Sequence, residues 1–214
     1  SNPDFNGVDQ AGCGYYQFTQ NNGRRWSTAS AYLTPARSRA NLTIITHAIT
    51  QRVLFDGKQT TGVEINRSGQ KQIIQGAHVI LSGGAVASPQ LLEVSGVGDG
   101  ERLRNLGIDV VHHAPDVGEH LQDHILCKVV YATQPEHSIN REVQGLRLIP
   151  AALRWFFLRE GPLTTGSAPV GAFCHTRDGL EAPDVQIHFA SGGTLYNNAG
   201  KIRALKQPAV TAVV

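Results

Sequence analysis

HVILSGGAVASPQLLEVSGVG, running from His78 to Gly98, carries the strongest architectural signal in the chain. Its opening, His78 to Ala85, is an apolar run of strand length that ends in consecutive glycines. Ser88 to Gly96 then reads as a helix, with Pro89 suited to the first helical position, where a missing N–H costs nothing. A buried strand, a Gly-rich turn and a helix are therefore predicted in succession. Glycines at such a turn let backbone approach a ligand closely, and the helix N-terminus offers unpaired N–H groups to an anion such as a pyrophosphate. Taken alone, the same turn is more often a plain tight connection.

Working outward, NLTIITHA (Asn41–Ala48), ITQRVLFDG (Ile49–Gly57) and TTGVEINRSG (Thr60–Gly69) are β-branched and bounded by Asp-Gly or Ser-Gly turn signals, which predicts strands joined by hairpins. Further upstream, STASAYL (Ser27–Leu33) reads as a short helix whose exit Pro35 bends. Tyr15, Tyr16 and Phe18 form an aromatic island for one short strand in a Gly- and Asn-rich loop. Downstream, ERLRNLGI (Glu101–Ile108) is an amphipathic helix with Gly107 as its stop, and DVVHHAPDVG (Asp109–Gly118) leads through a strand into a loop. The character of the chain changes after His124. From there ILCKVVYAT is a strand, and Gly145 to Gly161 is helical around Pro150, with Trp155, Phe156 and Phe157 expected in the core. PDVQIHFA (Pro183–Ala190) is an alternating strand and PAVTAVV (Pro208–Val214) a further one. The fold class is mixed α/β, and the organisation is a connecting segment 1–37, a unit 38–124 and a unit 125–214.

Composition narrows the partners. Of 214 residues, 41% are hydrophobic and 17% charged, which is globular and excludes wholesale disorder. Nineteen basic and seventeen acidic residues are interspersed to a net charge of +2, with no Lys/Arg block of the kind that binds nucleic acid. No apolar run is long enough to span a bilayer and no signal peptide is visible. The three cysteines, Cys13, Cys127 and Cys174, are far apart and odd in number. They form neither a disulfide framework nor a metal clip, so buried, inert thiols in a reducing, cytoplasmic setting are expected. The sequence does not decide between a monomer and a homo-oligomer. Residue 1 opens inside a turn-rich stretch and the chain contains no Met, so a portion of a longer protein is expected.

The string from Ser82 to Gly98 as a whole resembles a signature segment of the glucose–methanol–choline (GMC) oxidoreductases: small residues, then Ser88-Pro89, Leu91-Leu92 and Ser95-Gly96-Val97-Gly98. APDVGEHLQDH (Ala114–His124) is similar to a second family stretch, with Asp116 and His120 in place of the usual Gly and Asn. Gly23 to Ile65, and GPLTTGSAPVGAFCHTR (Gly161–Arg177) followed by PDVQIHFA, resemble segments of choline-dehydrogenase-like members. The resemblance implies part of a Rossmann-like FAD-binding domain, 38–124, and part of a mixed-sheet substrate-binding domain, 125–214. It implies FAD as cofactor and the oxidation of a small-molecule alcohol, with hydride passing from the carbinol carbon to flavin N5. Carried onto this chain, the cofactor-binding positions are backbone around Ile49 and Thr50 and the turn at Gly83, Gly84 and Ala85. The family's catalytic His and its Gly-x-Gly-x-x-Gly fingerprint have no counterpart here, so the catalytic base is expected elsewhere and the chain alone is expected to be inactive. His188, on the alternating strand, is the one substrate-side candidate. Choline-specific relatives place a Glu four residues before the Phe of a Gly-x-Phe segment; here that position is Pro169, ahead of Phe173. The missing carboxylate points to an uncharged alcohol, because a desolvated cation needs a counter-charge or an aromatic cage.

Two further readings stand beside this one. The chain could be a truncated remnant or binding module of the same fold, without catalysis. His120, Asp123 and His124, with His112 and His113 nearby, have spacings that a zinc site could use. No strand–helix scaffold orients those imidazoles, so no metal is expected and Asp123 and His124 are read as loop-holding residues. Arg24 and Arg25 are read as surface.

Overall fold

The computed structural model describes residues 1–196 and 202–214. In chain order its elements are β1 (Gly12–Tyr15), β2 (Gln20–Asn21), β3 (Arg24–Arg25), a π-helical turn Ala29–Leu33 running into α1 (Thr34–Ala36), β4 (Ala48–Asp56), β5 (Gln59–Arg67), β6 (Gln70–Gln75), α2 (Gly84–Val94), β7 (Val97–Gly98), α3 (Gly100–Asn105) and β8 (His112–His113). There follow β9 (Lys128–Ala132), α4 (Leu148–Leu158), β10 (Val170–Cys174), β11 (Val185–Ala190), β12 (Thr194–Tyr196), β13 (Ile202–Ala204) and β14 (Ala209–Val213), with short 3-10 turns between β9 and β10. The chain divides into two compact units, one made of Ser1–Arg39 with Ile125–Val214 and the other of Ala40–His124.

In the unit Ala40–His124, β4, β5 and β6 form an antiparallel meander. The local turn chemistry works as the sequence predicts: Ser68 and Gly69 both have positive φ, 53° and 83°, as a tight two-residue hairpin requires. Val53 of β4 and Ile65 of β5 supply buried core. Asp99 caps α3, its carboxylate accepting from the Arg102 amide at 2.8 Å. Leu103 in α3 is fully buried, and the helix stops where the Ile108 amide returns to the Leu103 carbonyl at 2.9 Å around Gly107. β7 and β8 pair in parallel.

Three expectations for this unit need correction. Asn41 to Thr46 joins no ladder, and the strand begins at Ala48. His78 to Ser82 is likewise unladdered and far from buried, Ile80 being 89% exposed. β-branched composition makes a strand only when a neighbour accepts its backbone hydrogen bonds, and neither run has one among the described residues. The helix starts at Gly84, so Pro89 lies inside α2 and not at its first position. The proline leaves the Ala85 carbonyl without its partner four residues on, a loss confined to one bond.

The other unit is built on a five-stranded antiparallel sheet in the order β1-β10-β11-β14-β9. Gly12, Cys13, Gly14 and Tyr15 pair with β10, so the first strand takes in Tyr15 of the predicted aromatic island and ends before Tyr16 and Phe18. Ser138 and Asn140, both buried, clasp the connecting loops. The Ser138 hydroxyl donates to the Ala209 carbonyl at 2.8 Å and accepts from its amide at 3.1 Å. The Asn140 amide group donates to the carbonyls of Gly193 and Leu205 at 3.0 and 2.9 Å. α4 begins at Leu148, placing Pro150 in its first turn, where proline is tolerated.

Here too the sequence reading is corrected in part. Trp155 is half-buried, its indole N–H donating to the Gly23 carbonyl at 2.8 Å, but Phe156 and Phe157 are 61% and 73% exposed. All three cysteines are free and exposed, not buried. α4 is apolar over most of its circumference, and a helix can bury only the face it turns inward.

Candidate functional site: a cofactor cleft and a substrate-side sheet

A cleft of about 880 Å³ opens in the unit Ala40–His124. Its lining includes Ile49 and Thr50 of β4, Ile74 at the end of β6, Ile80 and Ser82 of the unladdered run, and Gly83 at the start of α2. Ile49, Thr50 and Gly83 are thus brought to one cleft; Gly84 and Ala85 follow in the first turn of α2 and are not lining residues. His78 and Gln90, which sequence reasoning did not single out, also line the cleft. Only the position of His78 at the head of the apolar run could have flagged it.

The cleft has the features an adenine nucleotide needs. Apolar side chains such as Ile49, 69% exposed into open space, offer flat contact area. Among the described residues β4 pairs only with β5, leaving the polar groups of its other edge facing outward from the sheet. At the start of α2 no side chain caps the helix, and the Gly83 amide is already taken, donating to Ser88 Oγ at 2.9 Å. The amides of Gly84, Ala85 and Val86 remain as first-turn donors without intrahelical partners. Gly84 has φ +83°, and a Cβ built there would meet nothing within 4 Å. Its glycine is therefore demanded by backbone conformation and not by crowding, and it leaves the helix entrance open. This donor set fits the phosphate-bearing part of a dinucleotide cofactor.

Behind the cleft the family motifs hold the unit together. Ser95 Oγ accepts from the Val53 amide at 2.8 Å. Arg102 pairs with both Glu93 of α2 and Glu119 of the 114–119 loop. The Glu119 carboxylate, then burial working in the opposite sense, then Glu93 act on this guanidinium, with the net result that its pKa is raised and the charge is secure. His113 Nδ1 accepts from the Gly100 amide at 3.0 Å. Asp123 accepts from the His124 amide at 2.8 Å, and His120 stands 3.4 Å from Asp116. Among the described residues, no three His, Cys, Asp or Glu side chains come together as a metal site would require.

In the other unit, His188 lies on β11 opposite Gly171 of β10. The Tyr16 ring lies 5.3 Å from its imidazole. The Pro169 carbonyl, just ahead of β10, accepts from the Tyr16 amide at 3.0 Å. Arg24 and Arg25 form an exposed two-residue strand against Gln20 and Asn21.

A meander, a strand-like run into a Gly-led helix with free first-turn amides, and a separate antiparallel sheet define a mixed α/β flavoprotein fold. The chain belongs to the GMC oxidoreductase family, whose members bind FAD: the family's N-terminal model, described as GMC oxidoreductase, matches residues 2–126. The mitochondrial choline dehydrogenase of Mus musculus is 42% identical over 187 residues, 87% of this chain and 31% of that protein. The oxygen-dependent choline dehydrogenase of Staphylococcus saprophyticus is 38% identical over 195 residues, 91% of this chain and 35% of that protein. The chain thus spans about a third of the length of these curated relatives. Among solved structures, a point variant of formate oxidase from Aspergillus oryzae RIB40 superposes with a TM-score of 0.79 at 20% identity, over 92% of this chain and 38% of that one. Pyridoxine 4-oxidase of Mesorbium loti superposes with a TM-score of 0.70 at 22% identity, over 98% of this chain and 38% of that one. At these identities the likeness concerns the fold. No helix among the described residues is long and apolar enough to cross a membrane.

Proposed function

We propose that the protein is an FAD-dependent oxidoreductase acting on the CH–OH group of a small alcohol. In this reading Ala40–His124 holds the adenine-nucleotide end of the cofactor and the five-stranded sheet forms the substrate side. The observation that carries it is the cleft that joins Ile49 and Thr50 to Gly83 at the open start of α2. Ile49 and its apolar neighbours receive the adenine. The first-turn amides at Gly84 and Ala85 receive phosphate oxygen, whose charge the helix N-terminus favours. The bound flavin supplies the acceptor for the hydride that leaves the carbinol carbon. His188 faces the alcohol and hydrogen-bonds its hydroxyl, while the base that finally takes the hydroxyl proton is assigned to no residue of this chain.

For the substrate, Pro169 stands where a carboxylate would offset a quaternary ammonium, which favours an uncharged alcohol. A second reading, choline itself, is favoured by the printed names of the relatives, 42% and 38% identical. The test uses the full-length protein. Ile49→Asp and Ala85→Glu put a carboxylate beside the adenine and among the phosphate-binding amides; the latter leaves the helix intact, since an acidic residue suits its first turn. Each is expected to weaken FAD retention by roughly tenfold or more, about 1.4 kcal/mol. Unchanged flavin content in both would overturn the cofactor assignment. In the wild type, uncharged primary alcohols are expected to bleach the flavin faster than choline does. The reverse order establishes the second reading, and bleaching by no alcohol leaves the non-catalytic remnant.

A further inference from the structure

Gly171, in the middle of β10, leaves a hole on one face of the five-stranded sheet, and Tyr16 fills it. A Cβ built at Gly171 would fall on the Tyr16 ring and hydroxyl, so no other residue at 171 admits the tyrosine where it lies. Tyr16 is held there from four directions. Its amide donates to the Pro169 carbonyl at 3.0 Å. Its hydroxyl accepts from Gln186 Nε2 at 3.0 Å. The Phe5 ring lies 5.4 Å away on one side, and the His188 imidazole lies 5.3 Å away on another, tilted by 37°. Phe5 is itself buried and packed 5.1 Å from Phe173, so the tyrosine has no free space to swing into on that side.

Register explains why these groups meet. Gly171 is the cross-strand partner of His188, and Phe173 is the partner of Gln186. Side chains of directly opposed residues share a sheet face. His188 has no side chain opposite it on β10, and Tyr16, entering from the end of β1, occupies that place with a flat ring. Gln186, two residues before His188, pins the far end of the same ring. We infer that Tyr16 is a positioning residue: it sets the plane of the His188 imidazole, and through it the hydroxyl of the alcohol, with Gly171 providing the seat and Gln186 the latch. This rests on the reading of His188 as a substrate-side group. Plain core packing is the competing account, and it differs in what it makes of His188.

The test is a double-mutant cycle in the flavin-loaded full-length enzyme. Tyr16→Leu is expected to lower kcat by roughly tenfold to a hundredfold, the scale of a misplaced reacting group. FAD content is expected to stay unchanged, and KM to shift much less than kcat. Tyr16→Phe keeps the ring and restores most of the rate. Gly171→Ala displaces the ring without altering Tyr16 and reproduces the Tyr16→Leu defect. In a His188→Ala background, Tyr16→Leu costs nothing further, because the residue it positions is gone. An equal loss from Tyr16→Leu in both backgrounds overturns the proposal in favour of packing, as does a Tyr16→Phe variant no better than Tyr16→Leu. A fully active His188→Ala enzyme overturns the assignment of His188 and the positioning with it. If Gly171→Ala does not fold, the Tyr16 and His188 cycle decides by itself. A wild type that oxidises no alcohol removes both the functional reading and this inference.

Discussion

One hydroxyl illustrates how the family motif earns its place. Ser95 is nearly buried; its Oγ accepts from the Val53 amide at 2.8 Å and donates to the Leu91 carbonyl at 2.5 Å. Among the described residues β4 has a strand partner on one side only, so the Val53 amide would be a buried, unpaired donor without it. Ser95→Ala is expected to destabilise the flavin-loaded full-length protein by about 1–3 kcal/mol, the cost of a stranded buried donor, with Ser95→Thr milder. Denaturant unfolding checks this, and a shift within error for Ser95→Ala would refute it. In the sequence, Ser95 stands out only as part of a recurring string. Its partner lies 42 residues away, and nothing local announces the contact. His78 in the cleft, Asn140 at the centre of its clasp and Tyr16 on Gly171 escaped for the same reason: each acts through a neighbour that only folding supplies.

Elements whose ends are decided by their own residues were legible. Gly107 after α3 and the Ser68-Gly69 turn fall where helix-stop and turn chemistry place them, whereas the Asp99 cap emerged only in the structure. The α3 cap also carries a pH signature. The Arg102 amide, donating to the Asp99 carboxylate, is the main cause of a pKa below the usual Asp range, with the Glu101 amide and the charge of Arg102 adding to it against burial. A carboxyl whose pKa is lowered on folding stabilises fully above its unfolded value of about 4 and loses that contribution as pH falls through the folded value. The melting temperature should therefore drop on acidification below roughly pH 4, less steeply in Asp99→Asn, which keeps an oxygen acceptor without the charge. Part of the slope should persist, because the Arg52 hydrogen bond lowers Glu64 and the Thr176 hydroxyl lowers Asp184 in the same direction. Parallel melting curves for wild type and variant would show that the cap carboxylate contributes no titrating stability. By contrast, Asn41–Thr46 and His78–Ser82 have strand composition without strand pairing, and α2 begins before its proline. Propensity is a property of a segment, whereas a ladder is a property of two.

At the level of the whole molecule, apolar groups remain open to solvent in both units. Ile49, Ile73 and Ile80 in one, and Leu146, Ile149, Leu153, Phe156 and Phe157 in the other, are all more than half exposed. Exposed apolar area of this kind favours association. The 214-residue chain prepared alone is expected to bind a hydrophobic dye strongly and to self-associate. A monomer by light scattering, with weak dye binding and a cooperative melt in the absence of flavin, would contradict this. Residue order alone was enough to specify the family, the strands β4 and β5, the Ser68-Gly69 turn and the Gly107 helix stop, because each depends on neighbours within a few positions; β6 and the start of α2 at Gly84 were not read from it. Only the tertiary structure decided that Ile49, Thr50 and Gly83 share one cleft, that Ser95 closes the open edge of β4, that α4 leaves its phenylalanines outside, and that Tyr16 rests on Gly171 beside His188. Those outcomes turn on which distant groups meet and which backbone edges find partners, and packing settles that.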